Sequence, residues 1–511
     1  MKIGIIGANG KAGRIIAAEA DRRGHEVTAI VRDREKILGP GYDILEKDLF
    51  DLTKNDLEAF DAVVSAYGLP FGGSHVNAYQ KAFAYLTEVF EKLPKVRLLI
   101  VGGAASLFTD DTKQQKVLET IPELYRKDPQ DMAIAFAALQ KSNVNYTYFS
   151  PAVFFDPRGR RTGKYILGEN DVVVKNLSGE SYISYADYAV AMVDEIENSH
   201  HLCKRITAAS DSKPVVREIP YYGILPAAPV FEGLSTYREP FSFELAGQKL
   251  RLQMDNGDRY FVDFLSGNTL MMAPLGTPSQ VEHYECLKGG EGVYFVNFEL
   301  TGIKPRTNLS LVIDVSERLV TLVKTVTDYD EKYPYLCDSE YFFGAIGEPG
   351  MSLPEKRHKF TTDLKGKRIH WHYSPTLEII HVYYSTEYCR VTFPERTGWG
   401  DINPTEWQDM LMREPYDEKA AYIKIKDGLY LVSVLEQNMS RRGMTGNSLL
   451  FLIDTVRVHD VGRSFGHAGL QEGKIRPENY LYSAFGDFVY SDGVLESKPN
   501  VYVSGGTWRT K

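Results

Sequence analysis

The sequence predicts an α/β domain built on a parallel sheet, followed by a duplicated all-β barrel region. Three observations predict it. Residues 1–210 alternate short apolar runs with helical segments, which builds a parallel sheet covered by helices on both faces. Residues 241–500 read as many short strands separated by turn residues. Those strands also fall into two copies: FELAGQKLRLQMDNGDRYFVDFLSGNTLMM (243–272) aligns with TDLKGKRIHWHYSPTLEIIHVYYSTEYCRV (362–391), pairing Gly247 with Gly366 and Ser266 with Ser385.

In order along the chain, KIGIIG (2–7) is an apolar run ending in glycine, and GRIIAAEADRRG (13–24) is helical up to Gly24. EVTAIVR (26–32), AVVSAYG (62–68), RLLIVGG (97–103) and NYTYFSPA (145–152) are strands, while 74–93, 133–142 and 185–199 have helical spacing. Five prolines within 211–240 mark a linker or wrapping segment, because proline interrupts helices and sheet ladders alike. The two modules follow at 241–355 and 356–500, with EGVYFVNFEL (291–300) matching KDGLYLVSVLE (426–436) and Asp314 matching Asp454. In KRIHWHY, Ile369, Trp371 and Tyr373 share one strand face and His370 and His372 the other. Two barrels or sandwiches, or one two-lobed barrel, satisfy this pattern.

Composition narrows the function. With 511 residues, 43% hydrophobic and 25% charged, the chain has the proportions of a globular protein with sizeable cores. A net charge of −9 provides no basic footprint for nucleic acid or an anionic membrane. No apolar run approaches the roughly 18 residues of a spanning helix. The chain opens directly into a folded motif, and its four cysteines form no CxxC pair or disulfide framework. A cytoplasmic protein acting on a small molecule is expected, with oligomerisation open.

The strongest motif is Gly7-Ala8-Asn9-Gly10-Lys11-Ala12-Gly13, directly between the first strand and the first helix. Gly7 permits the tight turn, Gly10 lets the backbone approach a pyrophosphate, and Gly13 lets helix pack on strand, as in a Rossmann-like dinucleotide site. The second strand ends in Arg32-Asp33, where an acid would accept from a ribose 2′-hydroxyl and an arginine would meet a 2′-phosphate. Arg32 leaves the strand first, so NADP is favoured and NAD remains open. Asp48 is placed to reach the adenine amino group.

GANGKAG, VVSAYG, VGGAASL, YTYFSPA, RTGKY and ISYADYA, in this order, resemble the NmrA-like, NAD(P)H-binding atypical short-chain dehydrogenases over about residues 1–208. That resemblance implies that Ser65, Ala66, Tyr67 and Gly68 cover the adenosine and ribose. It places Gly102, Gly103 and Ser106 at the nicotinamide and Pro151 and Ala152 beside its carboxamide. It also puts Arg158, Arg160 and Arg161 on a substrate-facing loop. The Tyr-x-x-x-Lys pair of active ketone reductases does not occur in residues 1–210, and Pro129 is expected to disrupt a helix after Tyr125. Ser106 and Tyr67 remain the candidate proton donors.

LKGKRIHWHYSPTLEIIHVYYS, YIKIKDGLYLVSVLEQ and NSLLFLIDTVRVHDVGRSFG resemble the MoaF family over about 240–470, which implies calycin-like barrels akin to lipocalins. Candidate barrel residues are His381 and Tyr384, with Asp263, Arg390 and Glu395 as further polar groups. His370-x-His372 is half a zinc site, but spacing names no third ligand, and no metal is expected. The reading is an NADP-dependent oxidoreductase of small conjugated substrates, joined to a barrel that binds, isomerises or dehydrates a related intermediate. A nucleotide sensor without catalysis, or chemistry in the barrels alone, are the rivals.

Overall fold

A computed structural model describes residues 1–34, 37, 41–69, 76–121, 123, 126–157, 159, 161–211, 237–274, 280–327, 336–348, 350–374, 377–392, 416–437, 446–471, 474–489, 500–503 and 507–510. At 374, 416, 468–471, 474–476, 500–503 and 507–510 it is described by backbone alone. Arg158, Arg160, Tyr125, Glu395 and most of the 211–240 segment lie outside these residues. The chain divides into two compact units, Met1–Val216 and Arg217–Lys511.

The first unit contains β1 (Lys2–Ile6), α1 (Lys11–Arg22), β2 (Glu26–Val31), β3 (Asp43–Glu46), α2 (Lys54–Leu57), β4 (Ala62–Ser65) and α3 (Ala78–Phe90). It continues with β5 (Arg97–Val101), α4 (Val117–Thr120), α5 (Lys127–Leu139), β6 (Tyr146–Ser150), β7 (Phe154–Asp156), β8 (Tyr165–Gly168), β9 (Tyr182–Ser184), α6 (Tyr185–Asn198) and β10 (Lys204–Ser210). The main sheet has the order β3-β2-β1-β4-β5-β6-β10-β8, parallel apart from the β8 edge. Two apolar layers cover its faces: Ile16, Ala17 and Ala20 of α1 pack with Ala189 and Val193 of α6, while Phe83 and Leu86 of α3 pack with Phe136 and Leu139 of α5. The expectation for Pro129 is corrected here: it is the third residue of α5. The first-turn N–H groups of a helix have no intrahelical partner, so proline costs nothing there.

The second unit contains two closed eight-stranded antiparallel barrels. The first comprises β11 (Lys249–Met254), β12 (Arg259–Asp263), β13 (Thr269–Pro274), β14 (Val281–Gly290), β15 (Val293–Glu299), β16 (Arg306–Asp314), β17 (Leu319–Thr327) and β18 (Asp338–Ile346), closed by Leu252 opposite Ile346. The second has the edge strand β19 (Lys359–Phe360), then β20 (Lys367–Ser374), β21 (Leu377–Tyr383), β22 (Tyr388–Thr392), β23 (Tyr416–Lys426), β24 (Leu429–Leu435), β25 (Gly446–Asp454), β26 (His459–Gln471) and β27 (Lys474–Phe488). It closes where Trp371 faces Gly486.

The repeat is visible in backbone detail. Gly247 and Gly366 both adopt positive φ, at 79° and 83°, and their N–H groups donate to the equivalent carbonyls of Phe264 and Tyr383. Asp314 and Asp454 each accept from backbone N–H groups two and three residues on. The barrels pack through outer faces, with Leu287, Phe295 and Val323 of the first against Ile423, Leu431 and Leu450 of the second. Fully buried Arg463 crosses that interface, donating to Thr325 Oγ1 at 2.7 Å, Ser310 Oγ at 3.2 Å and Ser448 Oγ at 2.9 Å.

Candidate functional site

The carboxyl ends of five parallel strands, β1, β2, β4, β5 and β6, stop level with one another. Ile6 pairs with Ile30 and Ser65, Ser65 with Ile100, and Val101 with Phe149. The residues that follow these strands therefore share one sheet edge, where open α/β sheets bind ligands.

Gly7 turns the chain with φ +74° and donates to Ile30 O at 2.9 Å. Gly10 N-caps α1 without a side chain, so no side-chain oxygen covers the first-turn N–H groups. A Cβ at Gly13 would lie 2.2 Å from Gly7 O, so only glycine lets α1 pack this closely on the turn. Asn9 occupies the turn, its carbonyl accepting from Arg14 Nη1 at 3.0 Å, and Lys11 and Ala12 begin the helix. Beside this loop, Ser65 is 1% exposed and its Oγ has no hydrogen-bond partner. An uncapped, side-chain-free helix start beside an orphaned hydroxyl fits a dinucleotide's diphosphate and ribose.

At the rim, Arg32 is largely exposed and stands 3.9 Å from Asp48, whose other oxygen accepts from Phe50 N at 3.0 Å. Tyr67 follows Ala66 and is half-buried with its ring edge-on to Tyr79, and burial raises its phenol pKa above the ordinary value. Gly68 has open space where a Cβ would be. Gly102 lies against the Tyr148 ring, and Gly103 N donates to Tyr148 Oη at 3.0 Å. Pro151 and Ala152 are buried directly after β6.

The structure adds a residue that sequence reasoning missed. Arg205 of β10 is 9% exposed, and its guanidinium lies over the rings of Phe136 and Tyr148. It donates to Ser106 Oγ at 3.0 Å, Ser106 O at 3.3 Å and Ser150 Oγ at 3.0 Å. Ser150 Oγ in turn donates to Gly103 O at 2.9 Å. One buried cation thus fixes the Gly102–Ser106 segment. A lone arginine in the buried run KRITAAS was the only local signal. Arg161 is engaged elsewhere, pairing with Glu19 at 3.0 and 3.1 Å. Those contacts, with Arg22 and Arg23, hold the Glu19 carboxyl down at about 2 against the opposing effect of burial.

In the second barrel, His381 is 1% exposed, with Tyr383 Oη at 3.5 Å from its Nδ1, and burial pushes its imidazole down to about 3. Tyr384 lies instead against Arg390, whose guanidinium is 5.2 Å from its ring and bidentate to Asp417. Asp263 pairs with Lys249 at 3.0 Å. His381 and Tyr384 are therefore not brought into one constellation.

The NAD(P)H-binding family matches residues 7–199, and the MoaF N-terminal domain matches residues 229–328. The uncharacterized protein YwnB of Bacillus subtilis is 45% identical over 216 residues, which are 42% of this chain and 100% of YwnB. Among solved structures, a candidate NADH-flavin reductase from Streptococcus pneumoniae is 42% identical and covers 41% of this chain and 99% of its own, with a TM-score of 0.39. A candidate epimerase from Bacteroides thetaiotaomicron is 32% identical and covers 41% and 97%, with a TM-score of 0.37. The chain belongs to the NAD(P)H-binding family through its first unit and carries a MoaF domain after it.

Proposed function

We propose that the first unit is an NADP-dependent oxidoreductase acting on a small conjugated acceptor such as a flavin, quinone or enone. The observation that carries this reading is the level sheet edge that gathers the glycine loop, Ser65, Gly102–Gly103 and Ser106. When bound, the nicotinamide supplies a hydride. The first-turn amides of α1 hold the diphosphate, and Ser65 Oγ takes a ribose hydroxyl. Arg32 at the rim meets a 2′-phosphate, and Asp48 is its nearest acid.

Arg205 donates to one lone pair of Ser106 Oγ, which directs that hydroxyl's own proton away from the cation. Ser106 then donates a weak hydrogen bond to the acceptor. Burial holds Tyr67 neutral, so it also acts as a donor. Neither group is a strong acid, which suits acceptors that stabilise the added electrons by conjugation. The second barrel, with His381 and Asp460 buried inside, serves as the receptor for a related small molecule.

The test is loss of NADPH absorbance with a panel of flavins, quinones and enones. Turnover with at least one class, abolished by Gly10→Val, is expected. Tight NADPH binding without turnover across the panel would make the unit a sensor.

A further inference from the structure

We propose that the outer face of the second barrel is a binding site for one divalent cation of the zinc class, held by His370 Nε2, His372 Nδ1 and Glu378. Strand alternation buries Ile369, Trp371 and Tyr373 in the barrel core and turns His370 and His372 outward. Hairpin register then sets Glu378 opposite His372. One carboxylate reaches both rings, with Oε2 at 2.9 Å from His370 Nε2 and Oε1 at 3.0 Å from His372 Nδ1. All three ligand atoms lie within 4.8 Å of one another. Tetrahedral ligands at about 2.0–2.2 Å from one zinc stand about 3.3–3.6 Å apart, so shifts of about 1–1.5 Å would close the set.

The surroundings are those of a metal-binding histidine. The His372 ring is stacked on Phe485 at 5.0 Å and 16°, which fixes its plane. Its second nitrogen, Nε2, faces Asp487 Oδ2 at 3.8 Å. With a cation on Nδ1 in place of the proton now shared with Glu378, the ring would keep its proton on Nε2, on the side of that carboxylate. Side-chain exposures of 22%, 20% and 29% for His370, His372 and Glu378 leave a fourth position open to water or a substrate oxygen.

The first barrel is an internal control. Its positions matching His370, His372 and Glu378 are Arg251, Gln253 and Arg259, which cannot form this site. One cation per chain is therefore expected.

The test uses full-length, tag-free protein stripped with EDTA and titrated with ZnCl2 by calorimetry. Co²⁺ absorption provides a second readout of nitrogen coordination. One equivalent should bind to the wild type. His370→Ala and Glu378→Gln should each weaken binding by about a hundredfold, and Asp487→Asn by about tenfold. Far-UV circular dichroism and NADPH affinity check that each variant is folded; should His370→Ala fail that check, His370→Gln replaces it. Absence of a stoichiometric wild-type site would overturn the proposal. So would binding kept within threefold in a folded His370 or Glu378 variant, or Co²⁺ spectra without nitrogen ligation.

Discussion

Gly13 and Gly10 lie three residues apart, yet their substitution should fail in different ways. A Cβ at 13 would stand 2.2 Å from Gly7 O and 2.9 Å from its carbonyl carbon, about 1.2 Å short of ordinary contact with the oxygen. Neither partner can yield cheaply. The oxygen is backbone in a turn, and α1 is anchored by buried Ile16, Ala17 and Ala20. Alanine in a helix gains about 1 kcal/mol over glycine, while overpacking costs about 1–3 kcal/mol and a 2.2 Å approach to a backbone oxygen lies at the upper end, so Gly13→Ala should lose about 2 kcal/mol of stability. Pushing α1 back by about 1 Å also spoils two charge-assisted bonds to the diphosphate, each worth about 1.5–3 kcal/mol, so NADPH affinity should fall about a hundredfold or more. Gly10 has φ −75° and ψ 166°, which any residue adopts, and its Cβ would be 3.1 Å from Gly7 O. Gly10→Val should therefore cost about 1 kcal/mol, as a poorer N-cap, and still abolish NADPH binding. Calorimetry with NADPH and denaturant unfolding of both variants decide the matter. Wild-type affinity in Gly10→Val would refute the diphosphate assignment, and wild-type stability in Gly13→Ala would refute the packing argument.

Further outcomes follow from the same geometry. Arg32→Glu should raise the Kd for NADPH at least about tenfold more than that for NADH, since a like charge replaces the 2′-phosphate partner; equal effects in paired titrations would count against NADP preference. Arg205→Met should lower the unfolding midpoint and slow NADPH oxidation more than Ser106→Ala does, because it frees the whole Gly102–Ser106 segment; equal rate losses would reduce Arg205 to the single Ser106 contact. Burial pushes the Glu478 carboxyl up to about 7 against the opposing hydrogen bond from Asn447, so the folded barrel unit holds a proton that the unfolded chain releases above about 4. Its stabilising contribution is full below the unfolded pKa and is lost as pH rises through about 7, at up to about 1.4 kcal/mol per pH unit. Glu478→Gln should flatten the fall in the barrel transition between about pH 5 and 8, and an unchanged thermal profile would dismiss this assignment.

The first unit was legible because its signals are local. Runs such as KIGII and RLLIV are too short and too apolar for anything but buried parallel strands, and the glycine loop states its own geometry. Pro129 was misread because proline breaks a helix only past the first turn. Arg205 lies far along the chain from Ser106, and nothing near either residue announces their bond. Barrel against sandwich could not be decided either. Closure rests on Leu252 meeting Ile346 and Trp371 meeting Gly486, pairings between strands about a hundred residues apart. Glu378 was hidden for a similar reason: His370-x-His372 is written in the sequence, but the third group arrives through hairpin register.

That register also shows where the two barrels have parted. Inside the first, the matching positions are Leu250, Leu252, Met254, Val262, Phe264, Val320 and Phe342, an apolar filling that secures the fold and little else. Inside the second they become Ile369, Trp371, Tyr373, His381, Tyr383, Asp460 and Tyr482. Tyr482 Oη is buried without a hydrogen-bond partner, and Asp460, fully buried, keeps its proton well above the ordinary carboxyl range. Asp460 accepts from Ala484 N at 2.6 Å and Tyr373 Oη at 3.4 Å, whereas the orphaned Tyr482 hydroxyl costs about 1–3 kcal/mol relative to the apolar Phe342 of the other copy. Packing cannot account for the exchange, because the first barrel closes without it. A polar ligand that pairs with Tyr482 would recover the cost, and the matching position of the first copy, Phe342, offers nothing to pair. A small-molecule site in the barrel unit is therefore expected in the second copy. Tyr482→Phe should stabilise that barrel while weakening whatever it binds, and destabilisation by this change would reverse the argument.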